Sequence, residues 1–463
     1  MVFSSLGFIL IFMPMFFIPY YRMPRGFKNY WILLASLVFY FISTVDNPMY
    51  LTVFIVNILL NYLMGICLEK CKKKYKKSIL IIGVIINISQ LFFFKYLNFI
   101  LSEINLILDN YEISSNIVLP IGISFYTFQG LSYLCDIYKG KIKAEKSLLR
   151  YAVYIAMFEQ LIAGPIVTYD CIKNELVKKK ISFYRIKNGL EIFVFGLGLK
   201  VLLANPLGKL WTQTKTIGFE SISTPLAWMA IIAFSLQIYF DFWGYSLMAI
   251  GLGKMMGFEL PKNFDFPYTS LTMSEFWRRW HITLGSWFKE YIYIPLGGNR
   301  HGTFYTIRNL FIVWILTGAW HGAGYNYILW GIALFFVLVV EKYIIGNFLN
   351  GHKFIGHLYM IILIPVMWSI FAIENLTEWR IFFFRLFPLF GEGLWSSFRY
   401  DYIKYWNIYW PFLLIGILLC MKKPFIILEK IKNYKVIFAF LTIIFISSLY
   451  CMYCGFDDPF LYF

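Results

Sequence analysis

Apolar runs about as long as a bilayer is thick recur from one end of this 463-residue chain to the other, separated by short polar loops that collect basic residues. A helix needs roughly 20 apolar residues to cross the hydrocarbon layer. The first such runs fall at 6–20, 31–45, 50–68, 79–101 and 118–138. They are continuous, whereas membrane β-barrels use alternating segments of about ten residues. The pattern therefore predicts an all-α, polytopic helical membrane protein of about 10–12 spans, with re-entrant and interfacial helices added. The first 20 residues lack a basic start and a small-residue cleavage site, so they read as a retained helix. With no repeat and no polar tract, residues 1–463 are expected to form a single transmembrane domain whose catalytic core covers approximately 118–345.

Three regions break the pattern. Tyr151 to Lys187 begins apolar, contains Glu159, Gln160 and Gly164-Pro165, and ends strongly basic. A full span there would export the basic end, so a re-entrant or in-plane helix is expected, its broken backbone lining a cavity. Residues 254–308 are rich in Pro, Gly, Asn and Trp and carry both charge signs. They read as short interfacial helices with Trp277, Trp280 and Trp287 as anchors at headgroup level. Arg308 to Gly324 is apolar for about a dozen residues before Trp320-His321-Gly322, so a helix starting at the inner face carries His321 well into the membrane.

Composition sharpens this picture. The chain is 60% hydrophobic and only 14% charged, against about 25% charged in soluble domains. Its net charge of +17 is placed in short loops: seven segments (22–28, 69–77, 139–150, 173–187, 254–308, 342–353 and 422–435) hold 34 of the 42 Lys and Arg. That spacing fits loops retained in the cytoplasm, with the N-terminus outside, and argues against nucleic acid as a partner. The seven Cys are scattered, and Cys451-x-x-Cys454 has no second pair or His near it, so no metal or redox site is expected. Walker A, H-E-x-x-H and G-x-S-x-G patterns are missing, which removes ATP-driven transport, metalloprotease and serine-hydrolase readings.

What remains is a small set of polar groups in apolar surroundings. A neutral imidazole at bilayer depth is costly without partners or work to do. His321, flanked by Gly318, Gly322 and Gly324, suits a general base or a histidine that only bonds a backbone carbonyl. His281 lies beside Arg278 and Arg279, and a helical segment would put Trp277, His281 and Gly285 on one face. The arginines suit phosphates of a soluble donor, or equally lipid headgroups. Asp241 is an intramembrane carboxyl, either functional or satisfied by an Arg or by backbone groups. Lys95 and Lys200 are expected to snorkel from span ends.

Several long stretches in the same order resemble the membrane-bound O-acyltransferase family, in its bacterial branch that O-acetylates polysaccharide. They include GISFYTFQGLSYLCDIYKG (122–140), QLIAGPIV (160–167), LQIYFDFWGYSLMAIGLGKMMGF (236–258), PKNFDFPY (261–268), FWRRWHITLGSWFKEYIYIPLGGNR (276–300), WHG (320–322) and PFLYF (459–463). The resemblance implies His321 as the catalytic histidine and His281 as a second functional one. Substrate contacts are expected from Arg278, Arg279, Arg300, Trp277, Trp320, Asp241 and Gln160, with no metal. Acetyl-CoA is the implied acyl donor, and the partners are an extracytoplasmic SGNH-like acetyltransferase and a polysaccharide acceptor at the bacterial cytoplasmic membrane. Alternatives are D-alanyl transfer from a carrier protein to teichoic acid, which shares FWRRWHITL but usually lacks the YIPLGGNR tail, and a lipid-linked-sugar transporter. Glu159, Trp243 and Leu247 depart from the family's usual residues near the implied cavity. The abundance of Ile, Lys, Asn, Phe and Tyr suggests an AT-rich genome, so alginate itself is not the expected acceptor.

Overall fold

A computed structural model describes residues 2–108, 117–162, 164–388, 400–430 and 433–455. The terminal PFLYF motif lies outside the described residues. Among them the regular structure is helical, without strands, as apolar runs at bilayer depth require: a helix satisfies every backbone N–H and C=O within its own segment. Eight helices among the described residues are long and apolar enough to cross a membrane.

The chain forms two compact units, residues 1–193 with 246–262, and residues 194–245 with 263–463. The first holds α1 (Phe8–Arg22), α2 (Lys28–Ser43), α3 (Met49–Lys70), α4 (Lys73–Ile107) and α5 (Ile123–Tyr138). They overlap the five runs expected to cross the membrane, but only α2, α3 and α4 among them are long and apolar enough to do so. Next come three short helices, α6 (Leu148–Ala156), α7 (Phe158–Leu161) and α8 (Tyr169–Val177). The helical path breaks at Met157, which has φ −47° and ψ 119°. None of these pieces is long enough to span, so the interruption expected around Glu159 is present.

This unit is bound by aromatic packing and by a buried amide ladder. Phe158 presents its ring to Phe12 and Phe16 of α1 at 5.2 and 5.1 Å. Asn61 of α3 and Asn87 of α4 exchange amide hydrogen bonds of 3.0 and 2.8 Å. Both are buried, and an unpaired amide would cost far more there than a paired one yields.

Two long helices, α9 (Phe183–Ile217) and α10 (Thr224–Met256), run through both units. Within the second unit a Cβ on Gly244 would meet the Gly196 carbonyl at 2.6 Å. The close backbone approach at that pair depends on small residues. A few residues further on, fully buried Lys200 of α9 bonds the Asp241 carboxyl of α10. Lys200 therefore does not snorkel. The carboxyl partner offsets the cost of holding the ammonium away from water.

The rest of the second unit comprises α11 (Met273–Arg279), α12 (Ile282–Phe288), α13 (Thr303–His321) and α14 (Tyr325–Gly351). These are followed by α15 (Lys353–Ala372), α16 (Leu376–Leu386), α17 (Asp401–Leu419), α18 (Lys422–Lys430) and α19 (Tyr434–Tyr453). Helices α13 and α14 form a tight hairpin. Gly318 and Gly331 meet with a Cβ position only 3.5 Å from the opposite Cα, and a Cβ on Gly318 would lie 2.4 Å from the Tyr327 carbonyl oxygen.

Candidate active site

The segment between α10 and α13 was expected to lie at the interface with its tryptophans in the headgroups. It does contain short helices, but Trp280 and Trp287 are buried in protein. Trp280 stacks on Phe276 at 5.5 Å and contacts Trp368 at 5.0 Å. Aromatic neighbours on several sides, not lipid, take up its apolar surface.

The expected continuous helix through Trp277, His281 and Gly285 is also broken. Helix α11 ends at Arg279, Trp280 is extended, and His281 takes the left-handed conformation at φ 42° and ψ 55°. A non-glycine residue there costs on the order of 1–3 kcal/mol and persists only where its surroundings hold it. Asn263 does so through two of its oxygens. Its carbonyl accepts from Ile282 N–H at 2.9 Å, while its side-chain Oδ1 contacts His281 Nδ1 and Thr283 Oγ1 at 3.0 Å each. A parallel backbone bond, Asp265 N–H to the Arg279 carbonyl at 2.9 Å, completes the clamp.

These contacts fix the tautomer. The Thr283 backbone N–H donates to the same Asn263 Oδ1 at 3.4 Å, so that atom is an acceptor and not the amide nitrogen. His281 Nδ1 must then carry a proton and donate to it, which leaves Nε2 with its lone pair. Nε2 is buried and has no hydrogen-bond partner among the described residues. Burial pushes the imidazole down to about 3, so the ring is neutral.

His281 stands on the wall of a cavity of about 430 Å³, together with Trp277, Arg278, Gly285, Lys289 and Thr317. Arg278 and Lys289 are both exposed on this wall, so cationic groups meet a lining that is mainly aromatic and aliphatic, with hydroxyls from Ser274, Ser286, Tyr293 and Thr317. Thr317 sits on α13 one turn before His321, the last residue of that helix. The His321 ring lies against Trp320 at 4.7 Å, Trp330 at 5.2 Å and Phe371 at 5.1 Å. Trp320 also approaches the His281 ring at 6.3 Å, so one indole touches both histidines.

The other residues singled out in the sequence fall in different places. Arg279 is committed to Glu275 at 2.5 Å and to Thr269 Oγ1 at 2.9 Å, away from the cavity lining. Arg300 is exposed in the turn after Gly297, whose carbonyl accepts its backbone N–H at 3.2 Å. Asp241 is the partner of Lys200. Gln160 belongs to the first unit, where it is buried and donates through Nε2 to the Tyr154 carbonyl at 2.5 Å. Three contributors had no role assigned from sequence: Asn263, Lys289 and Thr317. Asn263 stands 18 positions before the histidine it orients, a spacing that no helical or strand period connects.

A buried neutral histidine beside a cation-edged cavity, linked through Trp320 to a second histidine, is an arrangement suited to acyl transfer. Comparison with known proteins agrees. The profile of MBOAT, the membrane-bound O-acyltransferase family, matches residues 141–372. The chain is 37% identical over 407 residues to the probable alginate O-acetylase AlgI of Pseudomonas aeruginosa, covering 86% of this chain and 76% of that protein. It is 35% identical over 418 residues to the peptidoglycan O-acetyltransferase of Helicobacter pylori, covering 82% and 78%. Identity to the teichoic acid D-alanyltransferase of Bacillus subtilis is 27%, over 47% of this chain and 57% of that protein. The chain belongs to the membrane-bound O-acyltransferase family, and it is a multi-pass membrane O-acyltransferase.

Proposed function

We propose that the protein moves an acetyl group from acetyl-CoA on the cytoplasmic side of the membrane toward O-acetylation of an extracytoplasmic polysaccharide. The observation that carries this reading is the cavity at His281, lined mainly by aromatic and aliphatic side chains together with Arg278 and Lys289. A thioester arm suits such a lining, and its phosphates suit the two cations. Acetyl is favoured over D-alanyl because the relatives named as O-acetylating enzymes match over most of the chain at 35–38% identity, whereas the D-alanyltransferase matches less than half of it at 27%.

His321 accepts the proton of an acceptor hydroxyl as that oxygen attacks the thioester carbonyl carbon. The carbon–sulfur bond breaks, the ester forms, and the proton passes to the leaving sulfur to give the free thiol. Neutral His281 orients the donor through Nε2. The aromatic groups around both rings keep water scarce, which protects the thioester from hydrolysis. Of the expected arginines, only Arg278 is retained as a donor contact in this reading. A separate extracytoplasmic acetyltransferase of SGNH type completes delivery to the polymer. The test is acetyl-CoA consumption by purified protein in lipid with a hydroxyl acceptor: His321→Ala should lower turnover by about 10²- to 10⁴-fold. Turnover retained in that folded variant would exclude His321 as the base.

A further inference from the structure

Glu341 lies 60 residues from His281 and 20 from His321, inside α14, where the helix loosens into a π turn over Glu341–Ile345. Its side chain is buried. Its two oxygens face the N-terminus of α11: Oε1 accepts from Met273 N–H at 2.5 Å, and Oε2 accepts from Ser274 N–H at 2.9 Å and Ser274 Oγ at 3.0 Å. The Tyr359 hydroxyl of α15 donates to Oε1 at 3.2 Å. The third N–H of the turn, that of Glu275, goes to Thr272 Oγ1 at 3.1 Å, and Glu275 returns a bond from Leu271 N–H at 2.8 Å.

A seven-residue helix has few hydrogen bonds of its own and leaves its first N–H groups without intrahelical partners. Here a side chain from a distant helix takes two of them and a capping box takes the third. The residue that makes this contact opens the π turn of its helix. A single inserted residue in the helical path re-aims a side chain, and such turns gather at functional sites. Gly346 makes the turn possible, because a Cβ there would lie 2.4 Å from the Glu341 carbonyl oxygen. The helix so anchored supplies Ser274, Trp277 and Arg278 to the cavity wall and leads directly into His281.

We propose that Glu341 is a positioning residue for the acyl donor. It holds the start of α11 so that Trp277 and Arg278 form the donor-binding wall and His281 stays in its clamped conformation. The proposal rests on the reading of this cavity as the donor site.

Its test uses the full chain in lipid nanodiscs, as wild type, Glu341→Gln and Glu341→Ala, with acetyl-CoA as the probe. Two readouts are taken: the donor KM and kcat, and amide hydrogen exchange resolved by peptide. In Glu341→Ala, protection should fall in the peptide covering 271–282 and stay near wild type elsewhere. The donor KM should rise on the order of 10- to 100-fold with kcat much less affected. Glu341→Gln, which keeps one acceptor oxygen, should fall between alanine and wild type on both scales.

Unchanged protection over 271–282, or a loss of kcat at constant KM that follows a general loss of protection in both variants, would overturn the proposal. If the wild type consumed no acetyl-CoA while the exchange pattern came out as stated, the donor assignment would fail and the anchoring would stand.

Discussion

At the residue scale the account turns on how Asn263 sets His281. One oxygen takes both the ring Nδ1–H and the Thr283 donors, so the imidazole offers a lone pair at Nε2. Asn263→Ala removes that acceptor and frees both the tautomer and the left-handed backbone. Turnover should fall by about 10- to 100-fold, while Asn263→Asp, which keeps acceptor oxygens, should lose less. Equal losses in the two variants would deny Asn263 the orienting part.

The histidine's titration has a definite sign. Burial holds it down to about 3 against an ordinary 6.5, so the unfolded chain binds the extra proton between these values. Its contribution to stability is complete above pH 6.5 and is lost as the pH falls toward 3. Glu159 behaves oppositely. It is buried with no partner for either carboxyl oxygen among the described residues, and desolvation raises it to about 8 from 4.5. Its contribution is complete below pH 4.5 and is lost as the pH rises through 8. Thermal melts of Glu159→Gln should lack that decline between pH 4.5 and 8, and a decline identical to wild type would place its origin elsewhere.

At the element scale, the sequence identified the long helices well because each is a run of apolar residues whose length is set by the bilayer. The interruption around Glu159 was legible for the same reason, since polar residues with Gly164-Pro165 cannot continue a span. The run from Trp277 to Gly285 was misread. A helical period places the three residues on one face, and nothing local announces that His281 turns left-handed. That turn depends on Asn263 arriving from another segment. Trp280 and Trp287 were misplaced at the headgroups because composition cannot distinguish lipid from aromatic protein neighbours. Arg279 resembled a phosphate contact until its helix supplied Glu275 four positions earlier.

The hairpin of α13 and α14 carries a prediction of its own. His321 is the last residue of α13, so its position depends on the Gly318–Gly331 contact. Gly318→Ala would force a methyl against backbone atoms and should destabilise the fold by about 1–3 kcal/mol. Turnover should fall with it. Gly26→Ala, where no atom lies within 4 Å of the new Cβ, is the matched control and should leave both unchanged. An unaffected Gly318→Ala would show that the hairpin can separate without moving His321.

At the scale of the whole molecule, the placement of the basic loops makes the orientation a testable prediction. With basic loops inside, a cysteine replacing Lys74 should react with a membrane-impermeant maleimide only after the cells are opened. One replacing the exposed Leu106, in the last turn of the same helix, should react in intact cells. The reverse pattern would invert the topology and put the cavity of His281 on the wrong side for a cytoplasmic donor. Family membership extends over most of the chain and fixes the chemistry as O-acyl transfer. The acyl group and its acceptor must be measured in cells.

The most direct measurement is the ester-linked acetate and D-alanine that mild base releases from envelopes of cells lacking this protein, complemented with wild type or with His321→Ala at matched expression. The account predicts that acetate is lost in the deletion, returns with wild type and does not return with the variant, while D-alanine is unchanged throughout. Loss of D-alanine in place of acetate, or acetate restored by His321→Ala, would contradict it.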